Sequence, residues 1–227
     1  MEKYAFFGGS FNPPTYAHLE IAKIALAYLN LSKVFFVPVG NNYNKADLLD
    51  EKVRYEMLRL MCENEGNIYV ENIELNRKKA LRAHQALEEI DKKYNTSENY
   101  YIMGADNFVR LPNWDEAEEM LKKYNFIVFK RGEIDLEEQI NDDELLKKYR
   151  EHIKILMLKE NNNCRSGIIR DLIEQQNYEE AKQYTKEKIV EYLKCVKGAW
   201  PQWRILENMK FTNKNNKTTW KNHKKNI

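Results

Sequence analysis

The 227-residue chain, 43% of it apolar, is long enough to bury a sizeable core and corresponds to one domain or at most two. Its 37 Lys and Arg nearly balance 35 Asp and Glu, which speaks against a dedicated nucleic-acid or membrane binder. Cys62, Cys164 and Cys195 are odd in number and widely spaced, giving neither a disulfide framework nor a zinc knuckle. Reduced thiols, the absence of a basic-then-apolar start after Met1, and the lack of any apolar run near the roughly 18 residues that span a bilayer lead to the expectation of a cytoplasmic protein outside the membrane.

In chain order, short apolar or aromatic runs at residues 4–7, 34–39, 68–70, 100–103, 126–129 and 153–158 predict buried strands. Helical patterns separate most of them, at 19–29, 83–90 and 114–124. The clearest has Val53, Met57, Leu60 and Met61 at i, i+4, i+7 and i+8. Two more, at 168–175 and 186–193, follow the last strand. Alternating strands and helices, with strands that are apolar almost throughout, predict a Rossmann-like, doubly wound α/β fold: a parallel sheet with helices on both faces. Composition changes sharply at Gly198. From Lys210 to Ile227 there are six lysines, five asparagines and no acid. Residues 1–197 are therefore expected to form the domain, and 198–227 a basic, largely disordered tail. Solvated extension is its expected state and contact with RNA or another polyanion the alternative; Trp200 and Trp203 are candidates to pack back on the domain, and Trp220 is a further aromatic in the tail.

The stretch GGSFNPPTYAH, residues 8–18, joins the first strand to the first helix. In an open α/β sheet, ligands bind outside the carboxyl ends of the strands. Gly8 and Gly9 there can let a ligand approach the backbone and its N–H groups, and the prolines stiffen the turn. The following helix offers its positive end, with Thr15 and His18 three residues apart and able to face one anion. A second stretch, YYIMGADNFVRLPNWDEAEEML at 100–121, repeats the theme with Gly104 at another strand end. Asp106 can accept from a ribose, support a metal shell or cap the next helix. Trp114 offers a flat face to a heteroaromatic ring, or packs as an ordinary Trp.

The glycine-rich turn followed by Thr15-Tyr16-Ala17-His18 resembles the nucleotidyltransferases with an (H/T)xGH-type motif, and residues 100–121 resemble the bacterial nicotinate-nucleotide adenylyltransferase family. The resemblance covers most of residues 1–194 and includes FFVPVGNNYNK at 35–45, EKVRYEML at 51–58, VENIEL at 70–75 and FIVFKRG at 126–132. It implies adenylyl transfer from ATP to nicotinate mononucleotide in NAD biosynthesis. Catalytic roles then fall to His18, Thr15, Lys45 and Arg170. ATP binding falls to Gly8, Gly9, Ser10, Phe11, His18, Gly104, Asp106, Ser166, Ile169 and Arg170. Binding of the pyridine mononucleotide falls to Trp114, Arg82, Arg131 and Lys45. Mg²⁺ is expected with ATP, held largely by substrate and water without a dedicated protein metal site.

Three stretches depart from the family pattern. Ala17 replaces the glycine before His18. CRSGIIR, 164–170, keeps Ser166, Ile169 and Arg170 of a Ser-Ser-Thr-x-Ile-Arg type stretch but has Arg165 and Gly167 where hydroxyls are usual. Leu81-Arg82-Ala83 replaces the Ser-Tyr-Thr of the acceptor pocket, so Arg82 is the candidate partner of a nicotinate carboxylate. The alternatives are another acceptor, nicotinamide mononucleotide or phosphopantetheine, or a nucleotide-binding regulator without catalysis. His84 and His152 are expected to be surface or satisfied histidines, and Cys164 inert.

Overall fold

The computed structural model describes residues 2–45, 47–94, 96, 98–130, 134–158 and 164–196. The tail expected at 198–227 and Arg131 lie outside the described residues. Six strands form one sheet: β1 (Lys3–Gly9), β2 (Lys33–Pro38), β3 (Ile68–Val70), β4 (Glu98–Gly104), β5 (Asn125–Lys130) and β6 (Ile153–Met157). Their order is β3-β2-β1-β4-β5-β6 and every pairing is parallel. Connections reverse direction between β1 and β4, which creates the crevice where such folds bind ligands.

Alternate residues of each strand serve opposite faces, so an almost wholly apolar strand is needed when both are covered. On one face Ala5, Phe7, Val34 and Phe36 pack against α1 (Tyr16–Tyr28), α2 (Glu51–Cys62), α8 (Ser166–Glu174) and α10 (Glu187–Cys195). On the other, Tyr4, Phe6, Phe35 and Val37 pack with α3 (Ala83–Tyr94), α5 (Ala117–Lys123), α6 (Leu136–Asp142) and α7 (Glu144–Lys148). Each fully buried Leu, Phe or Val contributes about 1.5–3 kcal/mol relative to exposure.

All six expected strands are present, and three local differences have physical causes. The helix expected from Trp114 begins at Ala117, because Leu111–Asn113 form a 3-10 turn and Trp114 is extended at its end. The short α4 (Ala105–Phe108), α6, α7 and α9 (Tyr178–Ala181) were not expected. The caps of α6 and α7 are side chains: Asp135 accepts from the N–H groups of Glu137 and Glu138, and Asp143 from those of Leu145 and Leu146. Finally, the buried face of α2 is Arg54, Met57, Leu58 and Met61, with Val53 and Leu60 only partly covered. A buried arginine rotates that face from the one the apolar residues alone define.

Arg54 is 0% exposed. Its Nε donates to the carbonyl of Leu49 at 2.8 Å, Nη1 to that of Ser10 at 3.1 Å and Nη2 to that of Val39 at 2.6 Å. Ser10 and Val39 follow β1 and β2, so one guanidinium ties together the two chains leaving the central strands. Glu51, one turn earlier, accepts from the backbone N–H groups of Asn41 and Asn76. The first turn of α2 thereby fixes the segments that follow β1, β2 and β3. Arg54→Met preserves most of the volume but leaves three carbonyls without their donor, at about 1–3 kcal/mol each. We expect urea unfolding of that variant to show a loss of about 3 kcal/mol or more; a loss below about 1 kcal/mol would contradict this role.

Candidate active site

A cavity of about 710 Å³ opens at the carboxyl ends of β1 and β4, within the size range of small-molecule sites. Ten of the residues expected from sequence line it: Gly8, Gly9, Ser10, Phe11, His18, Lys45, Arg82, Gly104, Asp106 and Trp114. Thr15, Ser166, Ile169 and Arg170 do not line it. They lie behind its wall, and what they touch there differs from the sequence expectation.

Thr15 is fully buried and is the N-cap of α1. Its backbone N–H donates to His18 Nδ1 at 3.0 Å, and its hydroxyl lies 2.8 Å from the same nitrogen. Thr15 therefore faces the imidazole, and the expectation that both side chains face one anion is corrected. A ring nitrogen that accepts this N–H carries no proton in the neutral ring, so Nε2 carries it and is the donor that His18 can offer. Phe11 packs edge-on to the imidazole at 5.2 Å between centroids, and Phe7 lies 5.9 Å away. The ring is thus held from the backbone and packed against two neighbouring aromatic rings.

The connecting loop is held by its own carbonyls. Arg170 Nη1 donates to Asn12 O at 2.7 Å, the Ser166 hydroxyl to Pro13 O at 2.8 Å and the Thr185 hydroxyl to Pro14 O at 2.9 Å. The Asn12 side chain spans to the second loop, donating to Asp47 O and accepting from Leu49 N–H. Ile169 belongs to the hydrophobic core. Thus Ser166, Ile169 and Arg170 brace the loop from behind, and Arg165, the N-cap of α8, makes no side-chain cap bond.

The glycines divide into two kinds. A Cβ on Gly8 would stand 2.6 Å from the Tyr101 hydroxyl, and one on Gly9 2.9 Å from the Phe11 ring. Packing within the protein therefore already requires both, beyond any approach of a ligand. Gly104 is the reverse case: nothing lies within 4 Å of its Cβ position, and it lines the cavity. Its missing side chain leaves room there.

Charge is arranged around the opening. Lys45 Nζ donates to the Ser10 hydroxyl at 3.0 Å, and partial burial together with the Arg170 and Arg54 charges lowers its pKa. Arg82 and Asp115 form an ion pair at 2.8 Å across the mouth, with both side chains about three-fifths exposed. Such a pair is worth at most about 1 kcal/mol, so an incoming carboxylate can displace Asp115. Asp106 sits in the first turn of α4, whose N-cap is Gly104 without a side-chain cap bond, so Asp106 is not that helix's cap. Trp114 both packs on the core and lines the cavity. Among the described residues there is no group of three or more His, Cys, Asp or Glu placed to hold a metal ion, and no helix long and apolar enough to cross a membrane. Cys164 is buried, its thiol directed to Tyr184 O, and burial pushes the Cys62 thiol up to about 12.

Sequence reasoning missed two residues of this region. Arg54 carried a signal, since at i, i+3, i+4 and i+7 it shares a helical stripe with Met57, Leu58 and Met61. Glu74 carried none: it follows a strand in a charged stretch, yet it is only 8% exposed and lines the cavity.

Residues 6–172 match the cytidylyltransferase-like family. A probable nicotinate-nucleotide adenylyltransferase of Clostridium novyi is 34% identical over 150 residues, 65% of this chain and 75% of that protein. One from Carboxydothermus hydrogenoformans is 34% identical over 175 residues, 76% of this chain and 85% of its own. The fold is similar to that of Plasmodium falciparum nicotinic acid mononucleotide adenylyltransferase complexed with NaAD, with a TM-score of 0.70 and 19% identity over 85% of this chain and 95% of that one.

Burial pushes the Glu74 carboxyl up to about 7, although Arg77 and Arg54 draw it down. A carboxyl whose pKa is higher folded than unfolded holds an extra proton in the native state between roughly pH 4.5 and 7, so stability falls as pH rises through that window. Glu74→Gln removes this slope. Relative to the parent chain, we expect the variant to gain about 3 kcal/mol between pH 4.5 and pH 8 in urea unfolding; an equal difference at both pH values would contradict it.

Proposed function

The chain belongs to the cytidylyltransferase-like family, and from that membership, with its nicotinate-nucleotide adenylyltransferase relatives, we infer that it is an adenylyltransferase of NAD biosynthesis. It joins ATP and nicotinate mononucleotide to give nicotinate adenine dinucleotide and pyrophosphate. The observation that carries the reading at the level of chemistry is the locked His18 on the wall of a cavity that also presents Lys45, Arg82 and Trp114.

In this reaction a phosphate oxygen of the mononucleotide attacks the α-phosphorus of ATP in line, and pyrophosphate leaves from the opposite side. The protein supplies position and charge. Nε2–H of His18 donates to the α-phosphate as negative charge builds on its oxygens. The tautomer that this requires is the one fixed by Thr15, which acts through His18. Lys45 binds polyphosphate or acceptor phosphate, and its pKa is lowered first by partial burial and then by the nearby Arg170 and Arg54 charges. Arg170 adds to that charge while holding the loop through Asn12. With no group of three or more His, Cys, Asp or Glu placed to hold a metal among the described residues, a magnesium ion would be held by phosphate oxygens and water, and when bound would supply neutralisation of charge on the leaving group. Trp114 gives the pyridine ring a face to stack on, and Arg82, released from Asp115, pairs with its carboxylate.

Purified chain supplied with MgATP is expected to release pyrophosphate with nicotinate mononucleotide and much less with nicotinamide mononucleotide or phosphopantetheine; ATP binding without release in any mixture would contradict the function. His18→Ala should lower kcat by about 10²–10³, the scale of losing one transition-state donor, and an unchanged kcat would remove His18 from the chemistry. Arg82→Ala should narrow the preference for nicotinate over nicotinamide mononucleotide, measured as the ratio of kcat/KM; an unchanged ratio would show that Arg82 does not read the carboxylate.

A further inference from the structure

Among the described residues three glutamates are buried: Glu51, Glu71 and Glu74. Glu51 accepts from two backbone N–H groups. Glu71 accepts from Lys93, from the Tyr94 hydroxyl and from the Asn72 N–H. Glu74 differs from both, because its carboxyl accepts no hydrogen bond among the described residues. Its two cationic neighbours are committed elsewhere. Arg54 donates to three carbonyls, and Arg77 to Ile73 O and both oxygens of Glu89. A buried carboxyl without donors is costly, and Glu74 is among the residues that line the cavity.

The cavity that Glu74 lines also presents Tyr43, Lys45 and Arg82, the basic residues being those given above to the acceptor. Resting on that reading, we propose that Glu74 is a ribose-reading residue, whose carboxyl accepts a hydrogen bond from a ribose hydroxyl of the acceptor mononucleotide. The donor follows by elimination. At pH 8 the phosphate of nicotinate mononucleotide is fully ionised, and its ring and carboxylate offer no N–H or O–H. The two ribose hydroxyls are the donors that remain. The raised carboxyl pKa agrees with a group that lacks donors until a ligand supplies one. The same arrangement explains how an anionic acceptor fits beside a carboxyl: the hydroxyl stands between the two charges.

The test is steady-state kinetics of the full chain at pH 8 and saturating MgATP, with nicotinate mononucleotide and its 2′-deoxy and 3′-deoxy analogues. Glu74→Ala should raise KM for the ribonucleotide about tenfold or more, the scale of a hydrogen bond to a charged group. With one of the deoxy analogues, parent and variant should have the same KM. Glu74→Gln, which keeps an acceptor oxygen, should fall between them, and KM for ATP and 2′-deoxy-ATP should not move. Equal KM increases for all three acceptors, or an effect confined to ATP, would overturn the proposal, as would indifference of Glu74→Ala to every substrate while the parent chain is active. A parent chain inactive with all three acceptors would overturn the functional reading, and the proposal with it.

Discussion

The guanidinium of Arg54 is the contact on which the active-site end of the sheet depends. It is wholly buried and bonded to three backbone carbonyls, so it replaces the solvent that those carbonyls would otherwise need. Two of the three lie just past β1 and β2. The chains leaving the central strands therefore cannot move apart without exposing a buried cation and its acceptors together, which explains why an arginine is kept among the methionines of α2.

From that anchor the connection between β1 and α1 is held at both ends. Asn12 bridges to the loop at Asp47 and Leu49, while three successive carbonyls accept from Arg170, Ser166 and Thr185. Prolines suit such a segment, because they lack N–H groups and leave carbonyls as the only handles. The result is a rigid edge that presents His18 in one tautomer. Positive charge is concentrated beside it in Arg54, Arg170 and Lys45, with carboxyls at Glu74, Asp106 and Asp115 on the same cavity.

The sheet was legible in the sequence because strands buried on both faces are apolar almost throughout, and all six stood out from their charged surroundings. The short helices α6 and α7 were not, since their stability rests on Asp135 and Asp143 caps and on buried Leu136, Ile140 and Leu146 in a segment that otherwise reads as solvated. The site was legible as a set of positions but less so as a set of roles. Gly8 and Gly9 line the cavity, yet Tyr101 and Phe11 already demand them, and Thr15 turns from the ligand to the histidine. Such roles depend on contacts between residues far apart in sequence: Gly8 with Tyr101, Pro13 with Ser166, Pro14 with Thr185. Glu74 was invisible for the same reason, because a glutamate after a strand is ordinarily solvated and only the assembled cavity shows that this one is not.

The reaction proposed for the cavity at the ends of β1 and β4 is transfer of an adenylyl group between two nucleotides. The most direct measurement follows the fate of label from ATP marked at either the α- or the γ-phosphorus, incubated with the chain, magnesium and nicotinate mononucleotide. The α label is expected in nicotinate adenine dinucleotide and the γ label in pyrophosphate. An α label confined to ADP or ATP, with the γ label in orthophosphate, would contradict it.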